Sequence, residues 1–336
     1  MRYPKDLRPS DTVGVCATSS GVEPNKFPRL EKAIANVRAL GYEVAEAPSL
    51  RKKRKCVSAP AHDRAAEFMA MWEAPAVKAI IPPWGGDFLM EILPLLDWER
   101  LATLPPKWLS GYSDTTTLSF PLTTMLDVAT IHGTAFMNLG YREIHSSDLR
   151  VFEAMAAPVI EQESAAHYGN FVSWTDPQAP VYRLDQPSVW KSLSGGSHSF
   201  EGRMIGGCMD TLCKLLGTPY APVEDFLRRY HGDGFIWAME SCEMRAADLY
   251  RTLWQMREAG WFERCAGVLI GRPDGYSDTG DFTLEDVLHQ SFDVLGCPVI
   301  YDCDIGHIPP QMQIINGARA RGDYANGRAK ITQEKL

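Results

Sequence analysis

Apolar residues in the first part of the chain alternate between short continuous runs and stretches with helical spacing. Residues 12–17 form an apolar run that predicts a buried strand, and the small residues 18–21 follow it as a loop. Residues 26–40 carry apolar side chains three and four positions apart, and Gly41 follows them as a helix C-cap. Residues 42–45 predict the next strand. A strand, a helix and a second strand in this order predict a parallel sheet with helices on its faces.

The same alternation continues to residue 132. The predicted elements are a helix over 62–72, a strand over 77–81, a helix that ends at Leu96, and strands over 107–109 and 128–132. In open α/β sheets, ligands bind beyond the carboxyl ends of the parallel strands. Ser19, Gly85, Gly86 and Ser113 all follow predicted strands, so we expect them to meet in one crevice.

The pattern weakens between residues 157 and 199, where four prolines are mixed with polar residues, as is typical of a linker or a crossing between domains. Regular patterns then resume. They predict helices over 209–216, 246–259 and 284–295, strands over 235–239, 267–271 and 298–301, and a last strand before Gly327. The sequence therefore predicts an α/β protein with an N-terminal domain over 1–160, a linker over 161–199 and a C-terminal domain over 200–336.

Composition sets the broad class of the protein. The chain has 336 residues, of which 45% are hydrophobic and 23% charged, which is typical of a globular protein large enough for two domains. A formal net charge of −8 argues against a general nucleic-acid binder. The basic run 51–55 is the one stretch that could attract phosphate, and a solvated loop is the favoured interpretation.

Location and cysteine use point to the cytoplasm. The N-terminus lacks the apolar core of a signal peptide, and no apolar run approaches the length of a membrane span. The eight cysteines are scattered through apolar segments without a C-x-x-C pair, which indicates free thiols and neither a disulfide framework nor a zinc site. We therefore expect a cytoplasmic protein without a metal.

One stretch, residues 108–118, has the pattern of a nucleophile elbow. Gly111 allows a tight reversal from strand to helix, Ser113 lies at the apex, and the amide of Asp114 points along the start of the next helix. Thr115 stands where the second glycine of G-x-S-x-G belongs, so the fit is incomplete. An ordinary turn is the alternative interpretation.

A serine nucleophile needs a base, and the base needs an orienting group. His132 and His307 both lie at strand ends next to glycine, and the residue pattern does not decide between them. Glu240 ends a strongly apolar strand, where a carboxylate requires a partner. A histidine suits that role, a structural ion pair with Arg245 or Arg251 is the alternative, and Glu243 is a competitor for the acidic position.

Gly85 and Gly86 follow a strand and allow a substrate carbonyl to approach the backbone closely, so they are candidates for a second oxyanion donor. A phosphate cradle is the alternative. The chain has neither G-x-x-x-x-G-K-[ST] nor G-x-G-x-x-G, which argues against a nucleotide cofactor. We expect no organic cofactor.

Six sets of short motifs occur in order through most of the chain. They are Gly14–Ser19, Trp84–Asp87 with Leu93–Asp97, Gly111–Asp114, Ile205–Gly207 with Leu215–Pro219, Met239–Glu240 with Arg251 and Gly260, and Gly306–His307. In this order they resemble the serine LD-carboxypeptidase family, the S66 peptidases, which includes murein-recycling LD-carboxypeptidases and microcin C self-immunity peptidases.

The resemblance implies a catalytic triad of Ser113, Glu240 and His307, with the backbone amides of Gly86 and Asp114 as oxyanion donors. It implies a Rossmann-like N-terminal domain that carries the serine and a smaller C-terminal α/β domain that carries the glutamate and histidine. It also implies a site between the domains and a homodimer that binds a small substrate, with neither nucleic acid nor membrane as a partner.

The chain departs from the family pattern at two motifs. The glutamate motif of the family usually reads Glu-Asp, whereas here Glu240 is followed by Ser241 and Cys242. The glycine pair is preceded by Pro-Pro-Trp. The second departure resembles the microcin-immunity branch, which implies a peptidyl- or aminoacyl-nucleotide substrate contacted by Gly85, Trp84 and Trp190. For Trp190, packing or a place at the domain interface is the alternative. Release of D-Ala from a murein tetrapeptide is the alternative activity, and a catalytically silent binding protein is the alternative of another class.

Overall fold

The computed structural model describes residues 1–336, and its N-terminal part alternates strands and helices as the sequence predicts. The elements are β1 Thr12–Val15, α1 Phe27–Ala39, β2 Glu43–Glu46, α2 Ala61–Glu73, β3 Val77–Ile80, α3 Trp98–Thr103, β4 Trp108–Gly111, α4 Thr116–Thr124, β5 Thr130–His132 and α5 Ser146–Ala156. The segment Leu89–Leu95 is a 3₁₀ helix where we expected an α-helix, because Pro94 lies inside it and lacks the N–H of a regular turn.

The first sheet has six strands in the order β14-β5-β4-β3-β1-β2. The strands from the N-terminal part are all parallel to their neighbours, which confirms the predicted parallel sheet. The sixth strand, β14 Ile314–Asn316, comes from the far end of the chain and pairs antiparallel with β5. The carboxyl ends of β1, β3 and β4 therefore meet at one edge, beside a strand supplied by the C-terminal part.

The segment expected as a linker contains strands. They are β6 Val159–Glu163, β7 His167–Phe171, β8 Tyr182–Pro187 and β9 Lys191–Ser192. β7 and β8 form a separate hairpin, whereas β6 and β9 occupy the two edges of the second sheet. β6 was hidden from the sequence pattern because Gln162 occupies one of its buried positions, where the Gln162 amide donates to Gln313 O at 2.9 Å.

The second sheet has eight strands in the order β6-β16-β15-β10-β11-β12-β13-β9. Its remaining elements are β10 His198–Cys208, α6 Met209–Leu215, α7 Val223–Arg229, β11 Phe235–Glu240, α8 Ala246–Glu258, β12 Cys265–Gly271, α9 Leu284–Phe292, β13 Val299–Cys303, β15 Arg319–Ala325 and β16 Arg328–Glu334. β10 to β13 are parallel, and the strand expected before Gly327 is half of the β15–β16 hairpin. The C-terminal part is therefore also an α/β structure.

Helix α4 joins the two sheets. Every residue of α4 is buried, and Phe120 on this helix stacks on Trp261 with ring centroids 5.3 Å apart. Trp261 in turn stacks on Trp237 of β11 at 5.7 Å. Because α4 follows the short turn that Ser113 opens, this shared core fixes the candidate nucleophile against the strand that ends in Glu240. None of the helices has the length and apolar character that crossing a membrane requires.

Candidate active site

Ser113 stands on a sharp turn between β4 and α4. It opens a short 3₁₀ turn, and its φ of +60° lies in the left-handed region that residues other than glycine rarely adopt. A Cβ on Gly111 would lie 2.8 Å from Cγ2 and Oγ1 of Thr115, so a side chain at 111 would block the reversal. The local geometry is that of the nucleophile elbow expected from the sequence.

Gly85 leaves a space beside the Ser113 hydroxyl. A Cβ at this position would lie 2.8 Å from the backbone N of Asp114 and 3.1 Å from Oγ of Ser113. The missing side chain gives a carbonyl oxygen room next to both groups. Gly86 has a φ of +145°, and a Cβ there would overlap Oγ of Ser19. The ends of β1, β3 and β4 thus converge as we expected.

The Asp114 side chain ties these loops together, a role that the sequence analysis did not assign. Its buried carboxylate accepts hydrogen bonds from Ser19 Oγ at 2.6 Å, Leu89 N at 2.9 Å and Thr117 Oγ1 at 2.9 Å. Asp114 therefore holds together the loop after β1, the segment after the glycine pair and the start of α4. The backbone amide of the same residue is the expected oxyanion donor.

Glu240 and His307 form a buried pair at the ends of β11 and β13. Oε2 of Glu240 accepts a hydrogen bond of 2.9 Å from Nδ1 of His307. Burial opposes ionisation of Glu240, but the charge and hydrogen bond of His307 lower its pKa below the usual value. Burial also opposes protonation of His307, yet Glu240 and the neighbouring Cys242 raise the pKa of this imidazole well above its usual value. In the neutral form of His307, an ionised Glu240 fixes the Nδ1–H tautomer, and Nε2 is then free to take a proton.

Two glycines allow the chain to close around this carboxylate. A Cβ on Gly306, whose φ is +98°, would lie 2.5 Å from Cγ of Glu240. A Cβ on Gly271 would lie 2.9 Å from Cβ of Glu240. The Gly-His motif at 306–307 is therefore explained by close packing, since only glycine lets the backbone before His307 pass over Glu240.

Tyr112 connects the nucleophile to the histidine. Its ring meets the His307 ring edge to face, with centroids 4.9 Å apart and an interplanar angle of 78°. This contact places His307 beside the residue that precedes Ser113, although no hydrogen bond joins Ser113 to His307. Catalytic hydrogen bonds are often long in ligand-free enzymes and tighten when substrate binds.

His132 lies on the other side of Glu240. Its Nε2 is 3.6 Å from Oε1 of Glu240, and its Nδ1 is 3.4 Å from Oγ1 of Thr116. Complete burial lowers the pKa of His132 to about 4, so this imidazole is neutral at neutral pH. Both histidines left open by the sequence therefore flank the same carboxylate, and only His307 hydrogen bonds to it. Glu243 is exposed.

The alternative interpretation, an ion pair of Glu240 with Arg245 or Arg251, is not what the structure shows. Arg245 and Arg251 both pair with Asp248, at 3.3 and 3.0 Å. Glu240 has histidines as its neighbours on both sides.

The two candidate tryptophans lie in different surroundings. Trp84 is half-buried beside Gly85, its indole N–H donates to Ser20 O at 3.1 Å, and Nζ of Lys26 lies 4.9 Å from the ring centroid. Trp190 is fully buried, and its indole N–H donates to Oδ2 of Asp304 at 3.1 Å. The expectation that Trp190 stacks on a substrate is at odds with this placement, because a fully buried ring offers no face to a ligand.

A second cluster of ligating side chains lies next to His307. Sγ of Cys208, Sγ of Cys242 and a carboxylate oxygen of Asp210 all lie within 4.8 Å of one another. The sequence did not point to this cluster because Cys208 ends β10 whereas Cys242 lies in the loop after β11.

Comparison with known sequences identifies the family. The family models described as LD-carboxypeptidase N-terminal domain and LD-carboxypeptidase C-terminal domain match residues 13–133 and 201–321. The chain is 26% identical to a putative carboxypeptidase of Vibrio cholerae, over 98% of each protein. It is 25% identical to a probable murein peptide carboxypeptidase of Bacillus subtilis, over 98% of this chain and 93% of the relative. It is 23% identical to the microcin C7 self-immunity protein MccF of Escherichia coli, over 98% and 95%.

Solved structures share the fold along the whole chain. An MccF-like protein from Bacillus anthracis superposes with a TM-score of 0.86 at 21% identity, over 100% of both chains. MccF in complex with glutamyl sulfamoyl guanosine superposes with a TM-score of 0.83 at 19% identity, over 99% of this chain and 98% of that one. The matched family models, the order of the motifs and this shared fold agree, and the chain belongs to the LD-carboxypeptidase family of S66 serine peptidases.

Proposed function

We propose that this protein is a serine carboxypeptidase that hydrolyses a C-terminal amide through Ser113, His307 and Glu240. The observation that carries the proposal is the buried Glu240–His307 hydrogen bond of 2.9 Å, next to a serine on a strained turn. A serine hydroxyl becomes an effective nucleophile when a base takes its proton and a third group orients that base.

In the acylation step, Nε2 of His307 takes the proton of Ser113 while Oγ attacks the substrate carbonyl. The resulting oxyanion is stabilised by the backbone N–H groups of Asp114 and Gly86, in the space that Gly85 leaves open. His307 then gives the proton to the leaving nitrogen as the C–N bond breaks. Glu240 stays ionised throughout, holds the imidazole tautomer and stabilises the imidazolium.

In the deacylation step, His307 takes a proton from water, and the resulting hydroxide attacks the acyl-serine ester. His307 returns the proton to Oγ of Ser113 as the shortened acid leaves. The chemistry is complete with the side chains and backbone amides of this chain.

For the substrate we propose a peptidyl- or aminoacyl-nucleotide conjugate. MccF, with a fold similar to that of this protein, has been crystallised with glutamyl sulfamoyl guanosine. Trp84 is half-buried next to Gly85, so it is the aromatic side chain placed to meet a base at the edge of the site.

A murein tetrapeptide that loses its terminal D-Ala is the second candidate. The burial of Trp190 favours it, because that burial removes one of the two aromatic residues expected to stack on a nucleotide. Relatives from Bacillus subtilis and Pseudomonas aeruginosa carry the names probable murein peptide carboxypeptidase and murein tetrapeptide carboxypeptidase.

The test runs the two substrates side by side with the purified protein and its Ser113→Ala variant, with products identified by mass spectrometry. Serine-dependent release of the nucleotide part supports the first substrate, and serine-dependent release of D-Ala supports the second. Ser113→Ala with the turnover of the wild type would overturn the proposal.

A catalytically silent binding protein is the remaining alternative. A serine-directed phosphonate distinguishes it, because the proposed enzyme becomes labelled at Ser113 while a silent scaffold stays unlabelled but retains its ligand. Absence of labelling together with absence of cleavage would favour the binding protein.

We also propose that the protein is a cytoplasmic homodimer, as the family resemblance implies. Sedimentation equilibrium measures the mass directly, and a value of about 37.4 kDa would contradict the dimer. Cell fractionation tests the location.

A further inference from the structure

Cys208, Asp210 and Cys242 form a compact group of ligating side chains, which we call the thiol cluster. Cys208 ends β10 and pairs in register with Glu240 of β11, so the ends of these two strands meet. Cys242 follows Glu240 by two residues, and Asp210 lies in the first turn of α6. Sγ of Cys208 is 3.5 Å from Oδ2 of Asp210, and the ligating atoms of all three residues lie within 4.8 Å of one another.

These separations match the demands of a tetrahedral cation. Zinc binds thiolate sulfur at about 2.3 Å and carboxylate oxygen at about 2.0–2.2 Å, which places neighbouring ligand atoms roughly 3.5–3.8 Å apart. Closing the cluster onto an ion therefore shortens the ligand separations by at most about 1.0–1.3 Å from the 4.8 Å limit.

Asp210 is held in place before any ion arrives. Its Oδ2 accepts a hydrogen bond from the backbone N of Cys242 at 3.0 Å, and its Oδ1 accepts one from the backbone N of Glu243 at 3.2 Å. A carboxylate oxygen that accepts one backbone hydrogen bond keeps a further lone pair for an ion. These two backbone hydrogen bonds orient the Asp210 carboxylate, as hydrogen bonds to the ligands do in known metal sites.

Asp210 also lines a surface cleft of about 460 Å³. Glu243 and Asp248 add negative charge to the lining of this cleft, and Lys214 and Arg251 oppose it. Arg251 is paired with Asp248 at 3.0 Å, so its charge is partly neutralised. Asp210 and Cys242 are half-buried and Cys208 is fully buried, so Asp210 and Cys242 are the ligands of the cluster nearest to solvent.

We propose that Cys208, Asp210 and Cys242 bind a thiophilic divalent cation, with Zn²⁺ as its representative, beside the imidazole of His307. Binding replaces the thiol protons with two metal–sulfur bonds, releases those protons to solvent and changes no oxidation state. Asp210 supplies the third ligand, and water supplies the fourth. The ion is not part of the proposed hydrolysis.

The site has a consequence for activity that rests on the proposed function. Cys242 lies in the loop directly after Glu240, the residue whose carboxylate orients the base of the proposed triad. An ion held by Cys242 constrains this loop and therefore the position of Glu240, so it inhibits the enzyme reversibly. Removal of the ion by a chelator restores turnover.

The binding test is a titration of the reduced full-length protein with Cd²⁺ and Co²⁺, followed by thiolate-to-metal charge-transfer absorption. We expect one equivalent to bind. Cys242→Ser weakens binding by more than about 100-fold, because loss of an outer partner alone costs 10–100-fold. Asp210→Asn gives a smaller loss, and circular dichroism verifies that each variant is folded.

Cys297→Ser is the matched control. Cys265 and Cys297 form another thiol pair, with Sγ atoms 3.5 Å apart, but no carboxylate completes a cluster around them. Loss of binding in Cys297→Ser, unchanged binding in Cys242→Ser, or no thiolate absorption in the wild type would each overturn the site.

The inhibition test compares turnover with and without Zn²⁺ in each protein. The wild type and Cys297→Ser lose at least about tenfold in rate, whereas Cys242→Ser changes less than about twofold because the ligand set is incomplete. If neither substrate is cleaved, the proposed function fails while the titration still decides the metal site. If binding is confirmed and turnover is insensitive to Zn²⁺, the inhibitory role is wrong.

Discussion

Oε2 of Glu240, at the end of β11, lies 2.9 Å from Nδ1 of His307, in the segment that follows β13. The Glu240 side chain is fully buried. Glu240→Gln removes the negative charge and offers an amide that does not require the Nδ1–H tautomer. We expect kcat to fall by roughly 10⁴-fold, as when the acid of a serine triad is replaced by its amide. Steady-state kinetics on the cleaved substrate measures the loss.

Glu243→Gln is the control for this variant, because Glu243 is nearby and exposed. It retains the activity of the wild type. A large loss in Glu243→Gln, together with activity in Glu240→Gln, would transfer the orienting role to Glu243.

Gly85 tests the oxyanion space directly. In Gly85→Ala the new methyl lies 2.8 Å from the Asp114 amide, where the substrate oxygen is expected to bind. We expect kcat/KM to fall by roughly 10²–10³-fold, the effect of losing one oxyanion donor. Phosphonate labelling of Ser113 slows in parallel.

Gly232→Ala is the matched control for Gly85→Ala. Gly232 is exposed, and a Cβ there has no atom within 4 Å. Full activity in Gly232→Ala and a loss of activity in a folded Gly85→Ala would support binding of the substrate oxygen in the space beside Gly85. Equal activity in both variants would show that the space is not used.

The sequence predicted the elements that form the site, because the ends of strands can be located from the local pattern of apolar and polar residues. The apolar run before Glu240 and the Gly-Tyr-Ser turn are both short-range signals, and each lies at a strand end in the structure. Distances between such ends do not follow from local pattern. Local pattern therefore did not decide between His132 and His307; the family resemblance favoured His307, and the fold places both beside Glu240.

Features that depend on distant pairing were missed for the same reason. β14 joins the first sheet by pairing with β5, and the neighbouring Gln313 accepts a hydrogen bond from Gln162; both partners lie more than 150 residues earlier in the chain. The family resemblance implied that Trp190 stacks on a nucleotide, but its indole N–H donates to Asp304 and its ring is fully buried. Cys208 and Cys242 are separated along the chain and meet only because β10 and β11 are neighbours.

Asp148 gives a prediction for stability and pH. It is fully buried in α5, and burial raises the pKa of its carboxyl to about 6, although hydrogen bonds from Tyr182 and Thr134 oppose the rise. The folded pKa therefore lies above the unfolded value, so the ionised form costs folding free energy above about pH 6, and this cost disappears as pH falls toward 4.

Asp148→Asn removes that titration. We expect its free energy of unfolding to exceed that of the wild type at pH 8 by up to about 3 kcal/mol, the value of a shift of about two pKa units. Denaturant unfolding at pH 8, 6 and 5 measures the difference, which shrinks with decreasing pH. Glu153→Gln, an exposed site on the same helix, stays within about 0.5 kcal/mol of the wild type at each pH. A difference independent of pH would contradict the role of burial.

Trp84 and Trp190 make opposite predictions for the nucleotide substrate. Trp84→Ala removes a half-buried ring beside Gly85, and we expect KM for an aminoacyl sulfamoyl-adenosine to rise by roughly tenfold, since a stacked base is worth about 1–3 kcal/mol. Trp190→Phe removes the indole N–H that donates a hydrogen bond to Asp304. We expect its free energy of unfolding to fall by about 1–2 kcal/mol and its KM to stay unchanged.

Kinetics and denaturant unfolding on both variants separate the two roles. A KM increase confined to Trp84→Ala indicates that the nucleotide binds at the edge formed by the glycine pair. A KM increase in Trp190→Phe with unchanged stability would show that the buried ring becomes accessible when substrate binds. Equal KM values in both variants, with D-Ala release intact, would exclude aromatic stacking and favour the murein tetrapeptide as substrate.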